Sequence, residues 1–481
     1  MRRVNRPLVV VALAVAMLVV AAGARADHAT RPHTPNLHAL GHSPHPATFE
    51  GEPDGVRHIN SDIAFQGTLA FNGNYDGWRV IDVSDPDNPA ELAHPSCNGD
   101  QGDIVVYRNI LVRSWNSKKG EDRFCLGTRV PAGWEGVHVF DISDPVHPVL
   151  KAAVELPCGS HTVTMAGVAD NQLIVYSNIS SSTGCGVDLD LAGQNALGDF
   201  MDVIGVPLDH PEAASVIHRE PLAGPTTFVR TGCHDAAVIR GVVNLAACAS
   251  ADTVNVFDIG ANAHTGGSLV DPELLYTIQE PGVGTEGTFG RWHSAGFTWD
   301  GKVLVLGWEP GGGGAPFCTK NGTQVPVGGG TFVTQTDTHK SAFFYNAATG
   351  AKLGQWVLPR PQTLDENCTI HNYNVVPLRS GRHVLVSGNY QAGTWVTDFT
   401  DPAHPVTVAW SDPPPLPKVT TPTGELVNEL GGAWSSYWYN NFIYESEITK
   451  GLNVFRLSDS VTAGAIRLDR LNPQTEEFSL P

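Results

Sequence analysis

The 481-residue chain is short of positive charge. Its 30 Lys and Arg stand against 49 Asp and Glu, a formal net charge of −19. Such a surface repels nucleic acid and anionic lipid headgroups, so neither is an expected partner. Beyond the N-terminus no apolar run approaches the roughly 20 residues that a spanning helix needs, so no transmembrane segment is expected. The local signatures of common catalysis are missing too. There is no G-x-S-x-G elbow, no H-E-x-x-H helix and no G-x-x-x-x-G-K-[ST] phosphate loop. The glycine run at 311–314 lacks a strand-to-helix context and reads as a loop.

What is present begins with a targeting segment. Arg2, Arg3 and Arg6 precede an apolar stretch over 7–22, and Ala24-Arg25-Ala26 makes a small-residue cleavage site. Residues 1–26 are therefore read as a signal peptide, with Asp27 as the first mature residue. The twin Arg lacks the apolar residues of a twin-arginine signal, which points to general secretion. Losing this segment removes four Arg and no acid, taking the charge from −19 to −23. The expected location is extracellular or at the cell envelope. No lipidated Cys or wall-anchoring tail is apparent, which favours free secretion. Eight Cys in an exported chain predict disulfides.

Residues 27–57 are rich in Pro and His and are expected to form an extended arm over the first repeat unit. The spacing of His28, His33, His38, His42 and His45 fits no recurrent metal-ligand pattern, and these read as solvated polar residues.

From His58 onward one phrase recurs. It reads GWRVIDVSDPDNP at 77–89, GVHVFDISDPVHP at 136–148, DTVNVFDI at 252–259 and GTWVTDFTDPAHP at 393–405. Each is an alternating strand, an Asp and a turn. Equivalent positions fall at Asp82, Asp141, Gly205, Asp258, Asn346, Asp398 and Arg456, spaced 52–64 residues apart with one gap of 88. A Gly-rich insertion near 310–340 accounts for the long gap. A fixed period of this length, built from short strands, predicts an all-β propeller with seven four-stranded blades over 58–470, followed by a C-terminal tail over 471–481. In the turns, Asp85, Asp144 and Asp401 can accept backbone N–H groups, and Pro86, Pro145 and Pro402 stop the strand. That turn chemistry, rather than calcium, accounts for the acids.

The blade pattern suggests bridges Cys97–Cys125, Cys158–Cys185 and Cys233–Cys248, because the start of a first strand and the end of the second lie at the same rim. It also places Cys318 and Cys368 as a pair across the insertion.

The first strands open with His58, His161, His234, His293 and His371, and Gly102 and Trp434 take the other two places. The innermost strands of a propeller bring such residues to one mouth of the channel. Second strands return there with Asn74, Asn178, Glu309, Asn389 and Glu445, and Asp103 and Asp235 lie beside the ring. Converging neutral imidazoles with a carboxylate suit a single transition metal, with His161, His234, His293 and His371 as ligands and Glu309 beside them. Alternatively, each His bonds its own blade. Trp115, Trp292, Trp308, Trp395, Trp434 and Trp438 either stack on a flat ligand or pack between blades.

These phrases, with CGSHTVTM, CHDAAV, WHSAGFTWDGKVLVLGWE, HNYNVV and WSSYWYNNFIYESEITKGLNVFRL, resemble the LVIVD-repeat family of secreted bacterial proteins over about 58–460. The resemblance implies an exported β-propeller acting as a surface or binding module, and it supplies no catalytic residues. The family's His-Asp strand opening is matched well by His234, loosely by the other four His, and not by Gly102 or Trp434. The leading expectation is a secreted module that binds an extracellular ligand or protein at the channel mouth. The rivals are a metal-dependent oxidase or hydrolase at the His cluster, and a purely structural envelope protein.

Overall fold

A computed structural model describes residues 27–45, 58–99, 101–116, 120–179, 189–191, 194–196, 200–224, 232–250, 253–260, 266–279, 290–327, 330–420, 424 and 426–477. Among these the regular structure is β throughout, apart from five short 3₁₀ turns. The arrangement is a propeller. Five sheets each contain a separate meander of four antiparallel strands, two of them with a short C-terminal strand added as a fifth; the first meander runs Asn60–Gln66, Leu69–Asn74, Gly77–Asp82, Ala90–Ala93. A further sheet has eight strands, because Asn372–Val375 and Ala433–Tyr439 pair in parallel over two residues. The first strands of successive meanders touch in a closed cycle. It runs from Asn60–Gln66 through Ile104–Tyr107, Thr162–Ala169, Asp235–Ile239, Arg291–Phe297, Asn372–Val375 and Ala433–Tyr439 back to its start.

The strands form because apolar residues line both faces, as sheets packed face to face require. Trp78 and Val80 of the first sheet pack on Leu111 and Phe140 of the second, with the Trp78 and Phe140 rings 4.7 Å apart. Each such side chain contributes about 1.5–3 kcal/mol on burial. Of the six tryptophans singled out above, Trp115, Trp292, Trp308 and Trp395 are within 1% of full burial, and they pack between sheets.

The recurring Asp folds its own turn. Oδ1 of Asp82, Asp141, Asp258 and Asp398 accepts the N–H two residues on, at 2.8–2.9 Å. Asp85, Asp144 and Asp401 likewise accept from Asp87, Val146 and Ala403 at 3.1–3.2 Å. Both acids of the motif are thus turn formers.

Cys97–Cys125 and Cys233–Cys248 are bridged as the blade pattern suggests. Cys185, the expected partner of Cys158, lies outside the described residues. Cys318 and Cys368 do come together, but as two buried thiols joined by a hydrogen bond rather than as a disulfide.

Both chain ends are built into the propeller. The arm expected over the first repeat instead supplies Leu37–Pro44 as the outer strand of the last meander, antiparallel to Gly451–Leu457. The reason is that the last repeat has only three strands of its own, and an unpaired outer edge would leave its backbone groups without partners. The arm still touches the first sheet, where the Gly41 N–H donates to the Pro86 carbonyl at 3.0 Å. Arg31 makes a buried ion pair with Glu445 at 2.6 Å. The C-terminal segment crosses the far ends of the first strands. Leu471 pairs with Phe65, Asn472 bonds both backbone groups of Val106 at 2.7 and 2.9 Å, and Thr475–Glu476 pairs in parallel with Val238–Ile239. The mouth opposite the His-bearing ends is therefore spanned by residues that the sequence reading assigned to a tail.

Candidate metal centre at the channel mouth

A cavity of about 130 Å³ lies at the start of the first strands. His161, His234, His293 and His371 all line it, with Glu309, Asp235, Asp103, Asp62, Arg291, Tyr390 and Trp434. The four imidazoles form an arc. Successive ring centroids are 4.6, 4.2 and 4.3 Å apart, and Tyr390 continues it 4.4 Å from His371.

Local backbone geometry aims these rings inward. The N–H groups of His161, His234 and His371 donate to the second-strand carbonyls of Asn178, Ala249 and Gly388 at 2.6, 2.7 and 3.0 Å. His293 occupies the extra position of a β-bulge between Trp292 and Ser294, and Trp434 occupies a similar one between Ala433 and Ser435. A bulge re-aims a side chain that the pleat would otherwise send to the sheet face.

Gly102 shows why the ring is broken at the second repeat. Its φ is +71°, and a Cβ there would lie 2.2 Å from the Asn74 carbonyl and 2.8 Å from the Arg113 guanidinium. That guanidinium donates to the same carbonyl at 2.8 Å, so no imidazole fits.

His58 is not part of the cluster. In the first repeat, Asp62 accepts the N–H of Ile63 as Asp103 accepts that of Ile104, at 2.8 and 2.9 Å. Aligning these two acids puts Ser61, not His58, opposite Gly102. His58 lies outside the cavity, hydrogen-bonded to Asp76. Glu445 is also absent from the cavity, since Arg31 and Thr394 engage it. Glu309 is the second-strand acid that does arrive.

Electrostatics favour neutral ligands. Burial holds His161, His234 and His293 well below the ordinary imidazole range, and His371 down to about 3. Burial also raises Asp235 to about 7 and raises Glu309, the latter against the pull of Arg291. Nδ1 of His371 lies 2.6 Å from the Trp434 carbonyl. This fixes the proton there and leaves Nε2 with its lone pair facing Glu309 Oε1, 3.9 Å away. His293 Nε2 is 3.8 Å from Glu309 Oε2, and its Nδ1 is 3.7 Å from Asp235 Oδ2. Tyr390 donates to Glu309 at 3.2 Å.

Several of these atoms lack hydrogen-bond partners although buried: Nδ1 of His234 and of His293, and both oxygens of Asp235. The Thr162 hydroxyl lies near Asp235, but its proton is committed to the His234 carbonyl at 2.7 Å. Two overlapping triads, His234–Asp235–His293 and His293–Glu309–His371, keep their donor atoms within 4.8 Å of one another. Both sets suit a borderline transition metal.

The residues that sequence reasoning missed are Arg291, Tyr390 and Asp62. Arg291 opens the strand that carries His293, two positions before it, and that nearness to a candidate ligand was the available signal. Tyr390 lies on a loop and carried none.

A family model described as the LVIVD repeat matches residues 130–155. No curated protein matches the chain. Among solved structures, the WD40 β-propeller domain of Doa1 is similar in outline. It has 10% identity and a TM-score of 0.42, over 88% of this chain and 99% of that one.

Proposed function

We propose that this chain is a secreted seven-bladed propeller, the eight-stranded sheet counting as two blades, that binds one divalent transition metal at the channel mouth. His293, His371 and Glu309 are the core ligands, and His234 is the nearest further imidazole. One observation carries the reading: Nε2 of His371, left with its lone pair by the Trp434 contact at Nδ1, and Nε2 of His293 both face the Glu309 carboxylate at 3.8–3.9 Å in a small polar cavity. A cation seated between them would accept both lone pairs and the carboxylate together. The cavity, of about 130 Å³, has room for an ion and its waters. His161, at the end of the arc, shapes the cavity wall.

A second reading has its own observation. The Arg291 guanidinium lies 3.5 Å from Glu309 and lines the cavity. A positive group beside a metal attracts a small anion, as a hydrolytic or oxidative centre would use. When bound, the metal would supply Lewis acidity there. The chain's own contribution would be to orient the anion through Arg291 and to hold a proton on Tyr390, whose ionisation burial opposes.

The test is calorimetric titration of the metal-stripped mature chain with copper(II) and zinc(II). The proposal expects tight binding at this site, weakened at least about tenfold by His293→Ala and by Glu309→Gln. Affinity unchanged by both substitutions refutes the assignment. Turnover of anionic ester or phenolic substrates by the loaded chain, lost in Arg291→Ala, would select the enzyme reading.

A further inference from the structure

A second group of histidines lies away from the channel mouth, where the N-terminal strand meets the first sheet. We propose that His45, His58, His94 and Asp76 form a separate zinc-class metal site that clips the arm to the first sheet.

These residues come from four segments. His45 follows the outer strand Leu37–Pro44, His58 precedes the first strand Asn60–Gln66, Asp76 sits in the turn before Gly77–Asp82, and His94 follows Ala90–Ala93. They meet at one carboxylate. His58 Nδ1 is hydrogen-bonded to Asp76 Oδ2, and His94 Nε2 lies 3.6 Å from Oδ1. Donor atoms of His45, His58 and Asp76 fall within 4.8 Å of one another. The His45 ring packs edge-on to His94 at 4.9 Å. Three imidazoles and a carboxylate are a tetrahedral N/O donor set.

Two observations go beyond the clustering. His45 Nε2 is buried and has no hydrogen-bond partner, and buried Asp76 Oδ1 has only the long 3.6 Å approach of His94. The backbone at His45 is also fixed from both sides. Its N–H donates to the Lys450 carbonyl at 2.8 Å, and its carbonyl accepts from the Asn60 side chain at 3.2 Å. An orphaned imidazole on a fixed backbone is what a pre-organised ligand looks like.

Two local features oppose a cation, and both are limited. Arg79 is nearby, but its charge is balanced by Glu91 at 2.6 Å and its head is bonded to Ser43. The Asn74 amide lies 3.3 Å from His94 Nε2, a contact that side-chain rotation would release. Metal–nitrogen bonds of about 2.0–2.1 Å would draw the four donors together across the seam. That seam closes the ring, because the arm completes the last meander and the chain then enters the first. A metal here would strengthen ring closure.

The test uses the full mature chain carrying His293→Ala and His371→Ala, so that the mouth cluster does not contribute. Stripped of metal and titrated with zinc, this background is expected to bind one equivalent and to melt at a higher temperature when loaded. Cobalt in place of zinc should give the visible bands of a tetrahedral centre. Adding His45→Ala and His94→Ala should abolish the equivalent, the melting shift and the bands. Asp76→Asn, nearly isosteric, should weaken zinc by about tenfold or more while far-UV circular dichroism stays unchanged. No zinc binding in the mouth-silenced background overturns the proposal, as does binding that survives loss of both His45 and His94. Neither result bears on the channel-mouth centre, which shares no residue with this one.

Discussion

Gly102 shows how much one position decides. A methyl group there meets the Asn74 carbonyl at 2.2 Å in a left-handed backbone conformation. Gly102→Ala should therefore lose about 2–4 kcal/mol in urea unfolding, far more than a surface glycine such as Gly381 would. Glu476 makes a different demand. Burial pushes its carboxyl up to about 8 from 4.5. In that window the folded chain holds a proton that the unfolded chain has lost. Its contribution is therefore full below about 4.5 and disappears as the pH climbs through about 8. Glu476→Gln should flatten the loss of stability between about pH 4.5 and about 8, by a few kcal/mol at most. Urea midpoints at several pH values measure this. The histidines were only partly legible for a related reason. His161, His234, His293 and His371 announce themselves by position, since each stands where a first strand begins. His58 stands in a similar phrase, RHIN, yet the strand starts at Asn60 and the equivalent residue is Ser61. A three-residue difference in register is invisible when the neighbouring residues can serve either way. Here it is resolved by Asp62, whose bond to the Ile63 N–H matches that of Asp103 to Ile104.

The repeating elements were legible because two local rules agree. Alternation fixes the strand, and the Asp-Pro turn fixes its end, as at Asp82 to Pro86 and Asp141 to Pro145. The two chain ends were not legible, because their strands pair with partners hundreds of residues away. Nothing in LHALGHSP specifies the edge at Gly451–Leu457, and that pairing follows only from the need to cover it. Breaking the arm should be costly at one residue. Arg31→Met leaves Glu445 buried without its cation and should lose about 3–5 kcal/mol. Glu445→Gln in the same chain should recover part of that loss, and the double-mutant cycle measures how much. Truncation before Arg470 should open the far mouth and lower the melting temperature, because it removes the pairings with Phe65, Val106 and Val238. Cys318 and Cys368 stand as neighbouring buried thiols. An oxidant such as diamide should join them, seen as a linked peptide in a non-reduced digest, and the bridge should raise stability by closing the loop over 318–368.

At the scale of the molecule, the propeller sets the geometry and the site exploits it. Radial repetition brings one position of each unit to a common axis, so a residue duplicated with the unit becomes a cluster without further design. The far mouth is spanned by the C-terminal segment, which leaves the His-bearing mouth as the described route to the cavity. The acidic surface, with a net charge of −19 over the whole sequence, adds a long-range attraction for cations. The central claim is that His293, His371 and Glu309 hold a metal. It is tested most directly by crystals of the untagged chain, with diffraction recorded on both sides of the absorption edge of the metal identified by fluorescence. The account predicts an anomalous peak between the Nε2 atoms of His293 and His371 and the Glu309 carboxylate. A map with these side chains well ordered and no anomalous peak among them, after incubation with copper or zinc, would contradict it.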